Sequence, residues 1–169
     1  GNVIIGEDVY IGPGAVLKGD WGKILIDRGA NIQENCVVHM FPGTTVHLSE
    51  NAHVGHGAII HGATLKKNCL IGMNAVIMDD AVIGENTIIG ALSFVSSKTK
   101  IADNSLAVGN PAKVIRELHS DQIEWKTRGT KYYQKLPADN ASYLKECKAL
   151  SEIEPGRPEQ ISDYKTWDK

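Results

Sequence analysis

A six-residue repeat of aliphatic side chains runs through the first hundred residues of this chain. Sixteen positions hold Ile, Leu or Val, and they lie six apart except at steps after Leu17, Val38 and Ile60: Ile5, Ile11, Leu17, Ile26, Ile32, Val38, Leu48, Val54, Ile60, Leu65, Ile71, Ile77, Ile83, Ile89, Val95 and Ile101. A period of two would indicate an alternating sheet and a period near 3.6 a helix. A period of six is typical of a parallel β-helix built from hexapeptides. The sequence therefore predicts an all-β fold with about five coils of three hexapeptides each.

The residue four places after each aliphatic position is nearly always small, which suits the tight corners of such a coil. Cys36 and Cys69 occupy this slot, so we interpret them as buried packing thiols. Together with Cys147 they make an odd number with no spaced pattern, which favours a reducing, cytoplasmic environment.

Composition excludes some partners and divides the chain. A net charge of −2 without a basic cluster argues against nucleic acid, and no apolar run is long enough to cross a membrane. Since Gly1 lies inside a repeat, we expect the natural N-terminus to lie upstream. We predict a β-helix domain over 1–111, a helical appendage over 112–153 and an extended tail over 154–169. The appendage is expected to hold one helix from Ser120 to Gly129 and an amphipathic stretch over 140–150.

The repeat assigns each histidine to a face of the coil. His39 and His61 follow the aliphatic residues Val38 and Ile60 on the third face, one coil apart, with Lys18 below them. His56 lies on the second face, one coil directly above Glu34, and Gln33 is the neighbour of Glu34 in sequence. A threefold interface could bring the second face of one subunit to the third face of the next. Three imidazoles with an open fourth position form a catalytic zinc arrangement.

The remaining histidines, His47, His53 and His119, are interpreted as ordinary solvated or hydrogen-bonded side chains. His53 is the least secure of the three because it directly precedes Val54 at a corner.

Three segments resemble a known family: GANIQENCVVHMFP, HVGHGAIIHG and LIGMNAVIMDDAVIGENTIIGA. They are similar to the γ-class carbonic-anhydrase-like hexapeptide-repeat family, and GNPAKVIREL and EIEPGRP resemble its phenylacetate-degradation and carnitine-operon branch. The resemblance implies a left-handed β-helix and a homotrimer with zinc at each subunit interface. It implies that His39, His56 and His61 are the metal ligands, that Gln33 and Glu34 line the site, and that Lys18 and Asp20 form an ion pair between subunits.

The chain departs from the family pattern at several places. Lys18 stands where the family usually has Arg, and Glu34 where it usually has Asp. Carbonic anhydrases of this class carry acidic proton-transfer residues at places that here hold Trp21-Gly22 and Met40-Phe41-Pro42. Efficient hydration of carbon dioxide would therefore lack its proton relay.

The leading hypothesis is a zinc-dependent hydrolase of acyl-CoA thioesters, in which hydroxide on the metal attacks the carbonyl. Glu34 would be the base or an orienting acceptor, and Gln33 would position water or substrate. Phe41 and Pro42 form an apolar wall or are ordinary loop residues. The alternatives are carbon dioxide hydration, a metal-free acyltransferase that uses a histidine as base, and a non-catalytic accessory protein. Three imidazoles also suit iron or cobalt.

Overall fold

Three parallel sheets wind around one aliphatic core in the computed structural model, which describes residues 1–157 and 163–167. The six strands of the first sheet are β1 (Asn2–Ile5), β4 (Lys23–Ile26), β7 (Thr45–Leu48), β10 (Thr64–Leu65), β13 (Val82–Ile83) and β16 (Lys100–Ile101). The seven strands of the second are β2 (Tyr10–Ile11), β5 (Asn31–Ile32), β8 (His53–Val54), β11 (Leu70–Ile71), β14 (Ile88–Ile89), β17 (Ser105–Gly109) and β18 (Ala112–Glu117).

The third sheet contains five strands: β3 (Val16–Leu17), β6 (Val37–His39), β9 (Ile59–His61), β12 (Val76–Ile77) and β15 (Phe94–Val95). From β1 to β17, successive strands along the chain belong to successive sheets, so the chain coils around the core about five times. The predicted parallel β-helix is confirmed, and the coil is consistent with the left-handed sense implied by the resemblance.

The hexapeptide period fixes the register of every sheet. Ile32 pairs with Val54, and Val54 with Ile71, so each aliphatic residue lies on top of its counterpart one coil away. From Ile24 to Val95 the inward-facing aliphatic residues are almost fully buried. Stacking of aliphatic residues from one coil to the next thus builds one continuous core along the β-helix.

A left-handed backbone residue forms the corners, three places after the aliphatic position. Where the left-handed residue is not glycine it is Asn or Asp at most corners, including Asn35, Asn74 and Asp80, and at other corners it is glycine. Asn and Asp tolerate a positive φ better than other residues with a side chain. The small residue predicted for the next position is buried at these corners, as at Cys36 and Ala75.

Two loops interrupt the period at the corner between the third and first sheets. Residues 18–22 connect β3 to β4, and residues 40–44 connect β6 to β7. The loops stack on each other, since the backbone N–H of Gly43 donates to the carbonyl of Trp21 at 2.9 Å. Met40 is fully buried beneath them. The strands on either side stay in register, so the extra residues bulge outward without disturbing the coil.

The C-terminal segment differs from its prediction. Residues 112–117 are not helical but form β18, which pairs antiparallel with β17 at the edge of the second sheet. One helix, α1 (Ser120–Tyr143), replaces the two that were predicted. The helix does not stop at Gly129, because this glycine is buried within it and provides the space in which the ring of Tyr164 packs. The 1–111, 112–153 and 154–169 division otherwise stays a prediction.

The amphipathic stretch over 140–150 is helical only to Tyr143. Leu144 has an extended backbone, and 145–150 form no regular structure. Tyr143, Leu144 and Leu150 are all exposed, so their apolar side chains find no surface against which a second helix could be buried. Without tertiary packing a short helix is only marginally stable in water.

Part of the predicted tail packs against α1. The carbonyl of Lys165 accepts a hydrogen bond from the indole of Trp125 at 2.9 Å, and the ring of Trp167 contacts that of Trp125. Trp167 therefore contacts the helix. The rest of the tail, 158–162 and 168–169, lies outside the described residues. Within the described part of the chain, α1 is not apolar enough to cross a membrane.

Candidate metal and catalytic site

His39 and His61 lie one above the other on the third sheet. The strands β6 and β9 pair His39 with His61 directly, although 22 positions separate them in sequence. Their ring centroids are 5.3 Å apart in an edge arrangement. The structure therefore brings these two predicted ligands together, as their positions in the hexapeptide repeat predicted.

Each imidazole of this pair has a carboxylate beside it. Nδ1 of His61 lies 2.8 Å from Oδ1 of Asp79, one coil above. Nε2 of His39 lies 3.5 Å from Oδ1 of Asp20. Asp79 orients the His61 ring so that Nε2 is left for another contact, and metal-bound histidines commonly have a carboxylate on their other ring nitrogen in this way.

Lys18 and Asp20 pair with each other in the 18–22 loop. Nζ of Lys18 lies 2.7 Å from Oδ2 of Asp20 and 3.5 Å from Nε2 of His39. The hydrogen bond from Lys18 lowers the pKa of Asp20. Within one chain the two residues reach each other because they share a short loop, and the ion pair between subunits that the resemblance implied stays a prediction.

Aromatic side chains flank the imidazole pair where acidic residues would serve a proton relay. The ring of Trp21 lies 5.1 Å from that of His39, and the ring of Phe41 lies 5.1 Å from that of His61. Both aromatic side chains are more than half exposed. The corner loops thus place one aromatic ring beside each imidazole, in addition to the charged side chains of Lys18, Asp20 and Asp79.

His56 lies on the second sheet and is oriented by Glu34. Because Ile32 pairs with Val54, Glu34 stands one coil below His56, and its Oε2 lies 2.6 Å from Nδ1 of His56. The other oxygen, Oε1, accepts a hydrogen bond of 2.6 Å from the hydroxyl of Tyr10. This bond lowers the pKa of Glu34. Burial, and after it the hydrogen bond to Glu34, raises the pKa of Tyr10 to about 12. Glu34 is therefore an ionised acceptor at neutral pH.

Gln33 belongs to a buried polar chain that leads to α1. Its Nε2 lies 2.6 Å from Nε2 of His53 and donates to Oδ1 of Asn31 at 3.0 Å. Nδ1 of His53 lies 3.1 Å from the hydroxyl of Thr130 on α1. Burial, reinforced by the charge of Lys126, lowers the pKa of His53 to about 3, so this ring is neutral at physiological pH.

A groove of about 820 Å³ connects His56 and Gln33 with the inner face of α1. The helix packs against β2 and β5 and leaves the outer part of the second sheet open beside His56. Apolar and aromatic side chains dominate the lining, among them Leu70, Met73, Trp125, Tyr132, Tyr133 and Leu136. Such an apolar cleft with a few polar groups at one end is typical of a small-molecule site.

The donor set suits a divalent metal, but no single chain completes it. Among residues 1–157 and 163–167, no three His, Cys, Asp or Glu side chains lie close enough to hold an ion. His39 and His61 belong to the third sheet and His56 to the second. Carboxylates orient the rings of His61 and His56 through Nδ1, which leaves Nε2 as the ligand atom. The residues therefore fit a metal only if a second copy of the chain supplies part of the set.

The other three histidines are held within the fold. Nε2 of His47, on the first sheet, lies 2.8 Å from Asp27, and His119 is the N-cap residue of α1, where its backbone N–H donates to the side chain of Gln122. His53 is not a surface residue but a buried neighbour of Gln33. The sequence held one signal for it: His53 pairs with Asn31 and Leu70, an outward column of the second sheet that becomes buried once α1 covers it.

Comparison with known proteins agrees with the fold and with the repeat. Residues 62–97 match the family described as bacterial transferase hexapeptide (six repeats). The carnitine operon protein CaiE of Salmonella newport is 44% identical over 158 residues, which cover 94% of this chain and 80% of that protein.

The three cysteines are free thiols. Cys36 and Cys69 are buried, and Cys147 is exposed.

Two solved structures share the fold at substantial identity. A Bacillus cereus protein assigned as an acetyltransferase is 39% identical, with a TM-score of 0.82 and coverage of 84% of this chain and 83% of that one. A hexapeptide transferase family protein from Anaplasma phagocytophilum is 33% identical, with a TM-score of 0.78 and coverage of 85% and 83%. The chain therefore belongs to the hexapeptide-repeat family that includes the carnitine operon protein CaiE.

Proposed function

We propose that this protein is a metal-dependent hydrolase of acyl-CoA thioesters that works at the subunit seams of a homotrimer. The observation that carries the proposal is the groove beside the Glu34–His56 pair. Its volume of about 820 Å³ and its apolar lining suit an acyl group and far exceed what carbon dioxide needs. Zinc is the metal we expect, with iron or cobalt as alternatives.

An apolar column on the third sheet supports the trimer. One outward-facing column of its five strands is apolar throughout: Val16, Val37, Ile59, Val76 and Phe94. Val16 is 48% exposed and Ile59 39% exposed in the single chain. The equivalent column of the first sheet is mixed and includes His47, Thr64 and Lys100. A continuous apolar stripe beside His39 and His61 is what a subunit interface requires.

The residue roles follow from the contacts. His39 and His61 of one subunit and His56 of the next would hold the metal, and a bound divalent metal lowers the pKa of a water molecule and so supplies a nucleophile near neutral pH. Both oxygens of Glu34 are engaged, by Tyr10 and His56, which favours its role as an orienting acceptor over that of general base. Gln33 lies at the end of the groove, where it can hydrogen-bond water or the thioester.

Two other functions make different demands. Carbon dioxide hydration needs rapid proton export, and the rings of Trp21 and Phe41 beside the imidazoles cannot carry a proton. Acyl transfer is favoured by the relatives, which include a hexapeptide transferase family protein. In that mechanism His56, polarised by Glu34, would be the base, and no metal would be needed.

We also place the protein in the phenylacetate-degradation and carnitine-operon branch and in the cytoplasm. The match to CaiE supports the branch, and three free cysteines suit a reducing compartment.

Metal analysis of the purified protein, with hydrolysis assays on aromatic and aliphatic acyl-CoAs, tests the proposal. We expect about one metal per subunit and thioester hydrolysis that is lost on chelation and restored by zinc. His39→Ala, His56→Ala and His61→Ala should each lose metal and activity. His47→Ala is the matched control, because His47 lies on the first sheet and contacts only Asp27 among the ion pairs described.

The outcomes separate the candidate functions. A metal-free preparation with full transferase activity toward an amine or hydroxyl acceptor would favour the acyltransferase. Fast carbon dioxide hydration in stopped-flow measurements, without thioester hydrolysis, would favour the anhydrase. Metal binding with neither activity would leave an accessory protein in which the ion joins subunits.

A further inference from the structure

A buried hydrogen-bonded chain runs from α1 to Gln33, and the direction of each of its bonds can be assigned. The chain starts at the hydroxyl of Thr130, which donates to the carbonyl of Lys126 one helical turn earlier at 3.3 Å. A hydroxyl has one hydrogen, so while Thr130 donates to Lys126 it can only accept from Nδ1 of His53, which lies 3.1 Å away. His53 therefore carries its proton on Nδ1.

The tautomer of His53 then fixes the amide of Gln33. With the proton on Nδ1, Nε2 of His53 has a lone pair and can only accept, so the group 2.6 Å away must be the NH₂ of Gln33. The same NH₂ donates to Oδ1 of Asn31 at 3.0 Å. Both N–H bonds of the carboxamide are used within the fold, and Oε1 is the polar atom that Gln33 has left to offer.

Burial makes this arrangement hard to reverse. Gln33 is 2% exposed and Thr130 1%, and the ring of Tyr133 covers His53 with a centroid distance of 5.2 Å. An unpaired donor or acceptor in such a place is costly, because burial has already removed its hydrogen bonds to water. The charged and titratable groups that act on His53 are Lys126 on α1 and His56 on the second sheet, and the desolvation that lowers its pKa keeps it neutral.

We propose that His53 is a positioning residue that holds Gln33 as a hydrogen-bond acceptor at the end of the groove. The inference rests on the proposed hydrolase function. It adds that Gln33 orients a group carrying a hydrogen, such as the attacking water, and does not donate to a developing oxyanion. The orientation is imposed from α1 through Thr130, so the helix takes part in shaping the site although it contributes no candidate ligand.

The first test measures the tautomer itself. Long-range ¹H–¹⁵N spectra of the histidine-labelled full chain should show His53 as the neutral Nδ1–H form from about pH 5 to about pH 8, with the resonance assigned by comparison with His53→Phe. Gln33→Glu removes the NH₂ donor and should convert His53 to the Nε2–H or doubly protonated form. An Nε2–H ring in the unmodified protein, or a ring indifferent to Gln33→Glu, would overturn the proposal.

The second test uses two threonines of the same helix. Thr130→Val removes the acceptor for Nδ1–H, whereas Thr127→Val removes a hydroxyl that contacts Asn68 instead. Thr130→Val should give a mixture of tautomers and lower kcat for thioester hydrolysis about tenfold, with KM little changed and with thermal stability matching Thr127→Val. Equal kcat values in the two variants would contradict the proposal. If the unmodified protein hydrolyses no thioester, the proposed function fails, while the spectra still decide the tautomer.

Discussion

At the scale of single residues, Glu34 connects two side chains of the candidate site, Tyr10 and His56. Its carboxylate accepts from the hydroxyl of Tyr10 through one oxygen and contacts Nδ1 of His56 through the other. A carboxylate behind an imidazole fixes the ring and strengthens it as a ligand or as a base. The longer side chain of Glu, compared with the Asp usual in the family, spans the distance between the two partners.

Replacing Glu34 should separate orientation from metal binding. We expect Glu34→Ala to lower kcat by about ten- to a hundredfold while most of the metal stays bound, because the three imidazoles remain. Glu34→Gln keeps an acceptor toward Nδ1 and should retain more activity than Glu34→Ala. Turnover assays with metal analysis on the same samples check this. Unchanged turnover in Glu34→Ala would remove the residue from the mechanism.

Lys126 gives the folded protein an unusual dependence on pH. Its ammonium is buried and donates to the carbonyl of Asn51 and to Oδ1 of Asn68, and no carboxylate in the described part of the chain pairs with it. Burial lowers its pKa from 10.5 to about 7. Between these two values the unfolded chain binds the proton that the folded chain has released. The free energy of unfolding should therefore rise as the pH increases through this window, and lie at its lower level below about pH 7.

Urea denaturation from about pH 7 to about pH 9 measures this slope. Lys126→Met should lose the Lys126 part of the slope, whereas Lys113→Met on the exposed strand β18 should keep the slope of the unmodified protein. A slope that is the same in Lys126→Met and in the unmodified protein would show that the ammonium does not titrate in this range.

At the scale of elements, the corners and strands respond differently to the same substitution. Lys98 occupies a corner with φ of 63°, a conformation that disfavours a residue with a side chain. Lys100, two residues later, is an exposed residue of strand β16. Glycine relieves strain at a left-handed position but weakens a strand.

Lys98→Gly should therefore stabilise the protein by roughly 1 kcal/mol, and Lys100→Gly should destabilise it by roughly 0.5–1 kcal/mol. Denaturation at one fixed protein concentration compares the two. Shifts of the same sign in both variants would contradict this account of the corners.

How far the sequence predicts an element depends on whether its partner is nearby in the repeat. The strands follow from the aliphatic period, and so does the pairing of His39 with His61, because stacking one coil on the next is determined locally. Strand β18 and the length of α1 were missed, since each depends on a surface formed elsewhere in the fold. Gly129 predicts a helix end, because glycine disfavours helix interiors. In the structure the ring of Tyr164 packs where a side chain of residue 129 would lie, and the helix continues through this position.

The same reasoning explains the candidate site. Columns of the repeat predicted Glu34 beneath His56, and the structure shows that contact. The burial of His53 was not predictable from columns alone, because α1 covers it from a position 77 residues further along the chain.

At the scale of the whole molecule, the proposed site between subunits predicts how mixed assemblies behave. If His39 and His61 of one subunit meet His56 of the next, a subunit carrying His56→Ala and a subunit carrying His61→Ala can form an intact site between them. Neither variant alone can do so. Every mixed trimer would contain one intact seam out of three.

Unfolding and refolding the two variants together at equal amounts should restore about one site in four of the full metal content, with a matching share of activity. Refolding each variant separately should restore none. Metal analysis after removal of loosely bound ions measures the result. No restoration in trimers that contain both variants would show that the histidines do not meet across a seam.

The outward excursion at 40–44 leaves the vertical spacing of the coils unchanged. His39 and His61 remain adjacent although the chain makes a detour between them. A detour of this kind can lengthen, shorten or change composition while the two imidazoles keep their places. The length and composition of this loop can therefore change through evolution while the positions of the two imidazoles are conserved.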